Sequence, residues 1–186
     1  VILNSNLKAC GVSVFPSVAL GKEKVSVDLS VGVLYQRSGD TDWLEIKKSV
    51  VLQPSSCVII ETQESISMPN NIFGMLSTKG SIGGKGIITA NTKLDPLFVG
   101  KLRIPVFNVS GRKVELQVGQ AFCSMSFWRT EAPIVGVETR TAIKTQPKTE
   151  NWLKDFWGRY SAQILTGAFS IVGSIIAAIM TVTLGG

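Results

Sequence analysis

A chain of 186 residues, 45% hydrophobic and 17% charged, is long enough for one compact domain and an appendage. Histidine is absent, which excludes imidazole acid–base chemistry and every His-containing metal site. Cys10, Cys57 and Cys123 are odd in number, widely spaced and without a CxxC pair, so no zinc site is expected and they read as free thiols of a reducing compartment. The net charge is +6, but Arg140, Lys144, Lys148, Lys154 and Arg159 crowd together late in the chain. That clustering suits an anionic membrane surface and argues against specific nucleic-acid binding, which calls for a basic stripe on the folded body.

In chain order, a short helix is predicted near Ser5–Cys10. Val- and Ile-rich runs follow at 25–33, 50–52, 57–61, 87–89, 101–108, 113–117 and 121–128, each short enough for a strand. They are separated by turn chemistry at Ser38-Gly39-Asp40, Pro54-Ser55-Ser56, Pro69-Asn70-Asn71, Gly83-Gly84 and Ser110-Gly111. A second short helix is predicted around Ser77–Ile82. With no long amphipathic helix between strands, the pattern indicates a barrel or sandwich and not parallel βαβ units. Asp40-Thr41-Asp42 reads as a solvated hairpin tip, and Trp43 and Trp128 as core or subunit-contact aromatics. The run GSIGGKG lacks the spacing of a Walker loop.

Residues 131–150, with Pro133 and Pro147, read as a linker. In 151–186 the character changes. Trp152, Trp157 and Tyr160 stand at near-helical intervals beside Lys154 and Arg159, as aromatic and basic groups do at a membrane interface. No charged side chain occurs from Ser161 to Gly186. As a helix, Ile164 to Leu184 would span the roughly 30 Å hydrocarbon core. Gly167, Gly173 and Ala177 offer a small-residue face for close helix contact. The flanking positive charge places the folded domain on the cytoplasmic side; packing against sister chains in an assembly such as a virion is the alternative.

Several segments resemble the dCTP deaminase family, a branch of the trimeric dUTPase fold. SVDLSVG (26–32) is similar to its early strand. LQPSSCVIIETQESISMPNNIFGML (52–76) is similar to its strand ending in Thr-x-Glu before a Pro-containing turn. STKGSIGGKGI (77–87) stands where the family has RSSLARLGL. KLDPLFVGKL (93–102) resembles IDPGWxGxI, RIPVFN (103–108) resembles TLExxN, and LQVGQAFCSMSF (116–127) the closing motif. The resemblance covers about residues 1–130. It implies a mainly β, dUTPase-like barrel or jelly roll, assembled as a homotrimer, here followed by a hydrophobic C-terminal helix.

The resemblance also implies site residues. Lys79 stands for the motif's first Arg, Ser81 for a retained Ser, Gly84 for the second Arg, and Ser124 for the closing Gln. Asn108 matches the Asn of TLExxN. In the dUTPases the position of Asp95 orients the attacking water, and an aromatic at the position of Phe98 stacks on deoxyribose. In the deaminases the Glu of TLExxN is the general base; here that position is Pro105. Backbone N–H groups of the Gly80–Gly86 loop remain to cradle phosphate. The loss of base and guanidinium, with an apolar tail in place of the closing arm, gives the expectation of a noncatalytic, membrane-anchored trimeric scaffold, a structural or assembly component, for example in a virus. The alternatives are an active dCTP deaminase/dUTPase-type enzyme at a membrane, or a nucleotide sensor. No cofactor is expected, with Mg²⁺ entering only if a nucleoside triphosphate is hydrolysed, in which case Asp95 is the catalytic candidate.

Overall fold

A computed structural model describes residues 1–16, 24–142, 146 and 147, and Ser161, Thr166 and Ser170. The chain divides into two compact units, Val1–Lys148 and Thr149–Gly186.

The first unit is mainly β, as expected. Its strands are β1 (Ser13–Phe15), β2 (Ser26–Arg37), β3 (Leu44–Glu45), β4 (Ser49–Leu52), β5 (Ser56–Ser67), β6 (Ile72–Thr78), β7 (Ile87–Thr89), β8 (Lys93–Leu94), β9 (Phe98–Asn108), β10 (Val114–Gln117), β11 (Ala121–Arg129) and β12 (Arg140–Thr141). A 3-10 turn at Asn4–Asn6 and a one-turn helix, α1 (Gly80–Gly83), stand where short helices were predicted. Ten strands form one curled sheet in the order β12-β9-β5-β2-β11-β6-β8, with β1 on β5, β3 on β2 and β7 on β9; β4 and β10 pair separately. All pairings are antiparallel except β12 with β9. Part of the stretch read as linker thus contributes a strand.

Period-two patterning fixes which face is inside. Val27, Leu29 and Val31 of β2, Leu102, Ile104 and Val106 of β9, and Met125 and Phe127 of β11 are buried. They pack with Ile60, Ile66, Ile72, Ile87 and Phe122 in one core. Each such side chain contributes roughly 1.5–3 kcal/mol on burial.

Two irregularities bend the long strands at one place. The register of β2 against β5 shifts between Val31 and Tyr35, and that of β5 against β9 between Glu61 and Ser65. Gly32 allows the first: a Cβ there would lie 2.5 Å from the Glu61 carbonyl oxygen. The Thr-x-Glu motif holds the second. The Thr62 hydroxyl donates to the Glu64 carbonyl at 2.8 Å and accepts the Leu102 N–H at 3.0 Å, and the buried Glu64 carboxylate accepts the Ser30 N–H at 2.8 Å. Bulges of this kind re-aim side chains near functional sites.

In the second unit Ser161, Thr166 and Ser170 are helical. Trp152, Trp157, Arg159, Tyr160, Gly167, Gly173 and Ala177 lie outside the described residues. Among the described residues no helix is long and apolar enough to cross a membrane. Trp43 is buried, whereas Trp128 is 42% exposed and so is not a core residue of this chain.

Candidate functional site

Three adjacent strands build a charged cradle. Ser124 of β11 pairs in register with Asp28 of β2 on one side and with Ser77 of β6 on the other. Lys79 follows β6 at the cap of α1. The Asp28 carboxylate ion-pairs with the Lys79 ammonium through Oδ2 and accepts the Ser124 hydroxyl at 2.7 Å through Oδ1. Two side chains predicted for nucleotide contact are thus joined by a third, Asp28, that sequence reasoning did not single out. Burial would raise the Asp28 carboxyl. The hydrogen bonds from Lys79 and Ser124, with the charges of Lys79 and Lys24, outweigh it and hold the group below its ordinary value. The Lys79 and Asp28 side chains remain 32% and 35% exposed, so the pair contributes little stability. Its consequence is orientation: Asp28 fixes the Lys79 ammonium, which has N–H donors to spare for an anionic ligand, while the single Ser124 hydroxyl proton is committed to Asp28.

Beside the cradle, α1 narrows an expectation. The N–H groups of residues 82–86 donate to carbonyls of the turn itself. Of the loop's amides, those of Gly80 and Ser81 are left at its mouth for a phosphate. Ser81 is exposed, and Gly80 has open space where a Cβ would stand. Gly84, at the position of the family's second Arg, is likewise exposed.

A second region surrounds the turn from β8 into β9. A cavity of about 370 Å³ is lined by Phe98, Thr92, Lys93, Lys101, Arg103 and Ala142, among others. Asp95 stands at its edge, one oxygen 3.0 Å from Arg140 Nη1 and the other 3.1 Å from Lys93 Nζ. Both oxygens are therefore engaged by cations. Phe98 is half-buried at the cavity wall, as an aromatic platform must be. Pro105 is half-buried on β9, paired with Ile59, and its carbonyl accepts the Ala90 N–H at 2.9 Å. It offers no proton acceptor on its side chain.

Asn108 is not available to a ligand. It is 1% exposed, its amide donates to the Leu52 and Arg112 carbonyls at 3.0 and 2.8 Å, and its oxygen accepts from the Ser110 N–H and hydroxyl at 3.0 and 2.7 Å. It holds the β9–β10 connection. Among the described residues no group of three or more His, Cys, Asp or Glu side chains could hold a metal ion.

The curled sheet and its charged cradle can be set against known proteins. The chain belongs to the dCTP deaminase-like family, whose model matches residues 21–130. It is 32% identical over 92 residues to a dCTP deaminase of Thermococcus kodakarensis, covering 48% of this chain and 59% of that one. It is 31% identical over 106 residues to a dCTP deaminase of Pyrococcus furiosus, covering 57% and 68%. A dUMP-forming dCTP deaminase of Methanospirillum hungatei is 34% identical over 86 residues, covering 45% of this chain and 46% of that one. The chain thus spans about three fifths of the length of the first of these relatives. The solved 2'-deoxycytidine 5'-triphosphate deaminase of Agrobacterium tumefaciens shares the fold with a TM-score of 0.55 at 14% identity, over 66% of this chain and 44% of that one. The dUTPase of phage phi11 of S. aureus does so with a TM-score of 0.51 at 15% identity, over 75% and 98%.

These relatives overturn the reading of the chain as a noncatalytic scaffold. That reading rested on the loss of base and guanidinium at Pro105 and Gly84 and on the apolar tail in place of a closing arm. The relatives named as deaminases match across the β domain, and the structure retains an organised cradle of Lys79, Asp28 and Ser124.

Proposed function

We propose that this chain is an enzyme that turns over a pyrimidine deoxynucleoside triphosphate, removing ammonia from the base of dCTP. The observation that carries the reading is the Asp28 carboxylate holding both Lys79 and Ser124 across three neighbouring strands. This arrangement presents the Lys79 ammonium, which keeps N–H donors beyond the one given to Asp28, to a triphosphate without rearrangement of the fold. The cavity beside Phe98 suits the nucleoside end, with an aromatic wall and hydrophilic groups around it. Cleavage between phosphates with Asp95 orienting water is less well supported, because Arg140 and Lys93 already engage both of its oxygens. Any magnesium would come with the triphosphate, since that ion is commonly held by substrate phosphates and one or two carboxylates.

Two further features belong to this proposal. The family resemblance supports a homotrimer, in which exposed Val33, Ile88, Phe107 and Val109 would find cover. The aromatic, basic and then uncharged sequence of 151–186 supports action at a membrane, with the folded domain on the cytoplasmic side. The test is direct. Incubation of the full chain with dCTP, with and without Mg²⁺, should release ammonia and leave a uracil nucleotide. Absence of product from dCTP and dUTP alike would reject the enzyme. Light scattering should give three times the chain mass, and deletion of 151–186 should abolish flotation with anionic vesicles.

A further inference from the structure

Pro105 leaves the outer face of β9 without a carboxylate, but the adjacent strand supplies one. Along β9, Lys101, Arg103 and Pro105 alternate with the buried Leu102 and Ile104 and so share one face. On β5, Ile59 is paired with Pro105 and Glu61 with Arg103. Glu61 therefore stands diagonally across from Pro105 on that face, at a typical backbone separation of about 7–8 Å, within the reach of a long side chain.

Its surroundings are unusual for a structural glutamate. Glu61 is 9% exposed. Its two oxygens face Lys101 Nζ at 3.9 Å and Arg103 Nε at 3.8 Å, beyond the usual 2.7–3.2 Å of a hydrogen bond. The cations thus neutralise a buried carboxylate without closing on it. Both Lys101 and Arg103 line the cavity beside Phe98. Arg103 is itself steadied by stacking 4.6 Å over the Trp43 ring. On β5 the register shift against β2 falls between Ile60 and Thr62, and that against β9 begins at Glu61, so Glu61 stands where the strand departs from regular pairing.

We propose that Glu61 is the proton acceptor that activates water at the cavity beside Phe98, acting from β5 where β9 carries Pro105. The inference rests on the dCTP-deaminating reading. Water adds through its oxygen to C4 of the cytosine ring, and its proton passes to Glu61. The carboxyl then returns that proton to the amino group. The C4–N bond breaks and ammonia leaves with its electron pair; the proton of the added hydroxyl passes to ring N3, leaving a C4 carbonyl, so that water and dCTP give ammonia and dUTP with no other reactant.

The experiment measures ammonia release and dCTP binding by the full chain and by Glu61→Gln, Glu61→Asp and Glu61→Ala, with the unfolding temperature of each as a check on folding. Glu61→Gln should lower turnover by about 100-fold or more, the range of a lost general base, with dCTP affinity changed less than about threefold. Added formate should restore turnover to Glu61→Ala, and Pro105→Glu should restore it in the Glu61→Gln background by returning a carboxylate to the same face. Glu61→Gln turnover within about threefold of the unaltered chain would overturn the proposal. So would a loss that neither formate nor Pro105→Glu repairs, which would mark Glu61 as structural. Absence of ammonia from the unaltered chain would reject the deaminase reading itself, a result separable from both.

Discussion

The cradle on β2, β11 and β6 and the cavity beside β9 solve the same problem in different ways. In the cradle the charged groups close on each other: the Asp28 carboxylate meets Lys79 and Ser124 in direct contact. At β9 the groups stand apart: Glu61 lies 3.8–3.9 Å from its two cations, and the position diagonally across from it is a proline. Tight pairing suits a grip whose geometry must be ready before the ligand arrives. Loose pairing suits a group that must exchange a proton. The comparison teaches that a side chain missing from one strand has to be judged against the neighbouring strand that shares its face.

Changes on each side separate the two regions. The largest effect on binding is expected at the cradle. Lys79→Ala removes a charge-assisted contact of about 1.5–3 kcal/mol, so calorimetry should find deoxynucleoside triphosphate affinity lowered roughly 10- to 100-fold, with little change in the unfolding temperature. Gly32→Ala should act in the opposite sense, on stability first. Its Cβ would meet the Glu61 carbonyl at 2.5 Å, at a cost of about 1–3 kcal/mol for overpacking, seen as a shift of the denaturation midpoint. Because that carbonyl belongs to Glu61, turnover should fall further than binding does.

A smaller effect separates the pH responses. Asp28 has its folded carboxyl held below the ordinary value of 3.8. Its contribution to stability is therefore complete above that value and is lost as pH falls through the lower folded one. Asp28→Asn should flatten the acid limb of the stability curve below about pH 4 while changing neutral stability by about 1 kcal/mol or less, as befits a pair one-third exposed. The smallest effect is expected for Arg140→Ala. The Arg140 and Asp95 side chains are 66% and 38% exposed, and thermal unfolding should move by the equivalent of less than about 1 kcal/mol. The thiols give an independent control on the fold. Burial, aided by the charges of Glu64 and Asp28, pushes the Cys123 thiol up, so a thiol reagent should label it only on unfolding.

Much of the β domain was legible because alternation is a local signal. The cores of β2, β5, β9 and β11 coincide with the runs read from sequence. β6 was not recognised, although its inward positions are Ile72, Gly74 and Leu76. Gly74 interrupts the apolar pattern because a Cβ there would meet Met125 Sδ at 2.8 Å, a long-range contact that no window of sequence contains. β3, β8 and β12 are two residues each, too short to carry a period. In the site, Lys79 and Ser124 were legible through resemblance. Asp28 sat within a quoted motif, but its partner lies 51 residues away. Glu61 was visible only as the residue before Thr-x-Glu. Its relation to Pro105 depends on the β5–β9 register, in which Ile59 pairs with Pro105 and Glu61 with Arg103, a long-range pairing that the local sequence does not display. Asn108 differs for the converse reason: three of its four hydrogen bonds lie in its own turn and the fourth reaches the Leu52 carbonyl, a closure only the fold reveals.

The most direct check of the account is a time course of dCTP consumption by the full chain beside Lys79→Ala at equal concentrations of folded protein. The account predicts stoichiometric ammonia and uracil nucleotide from the unaltered chain and a much slower course from the variant at limiting dCTP. Equal courses, or dCTP left intact by both, would contradict it.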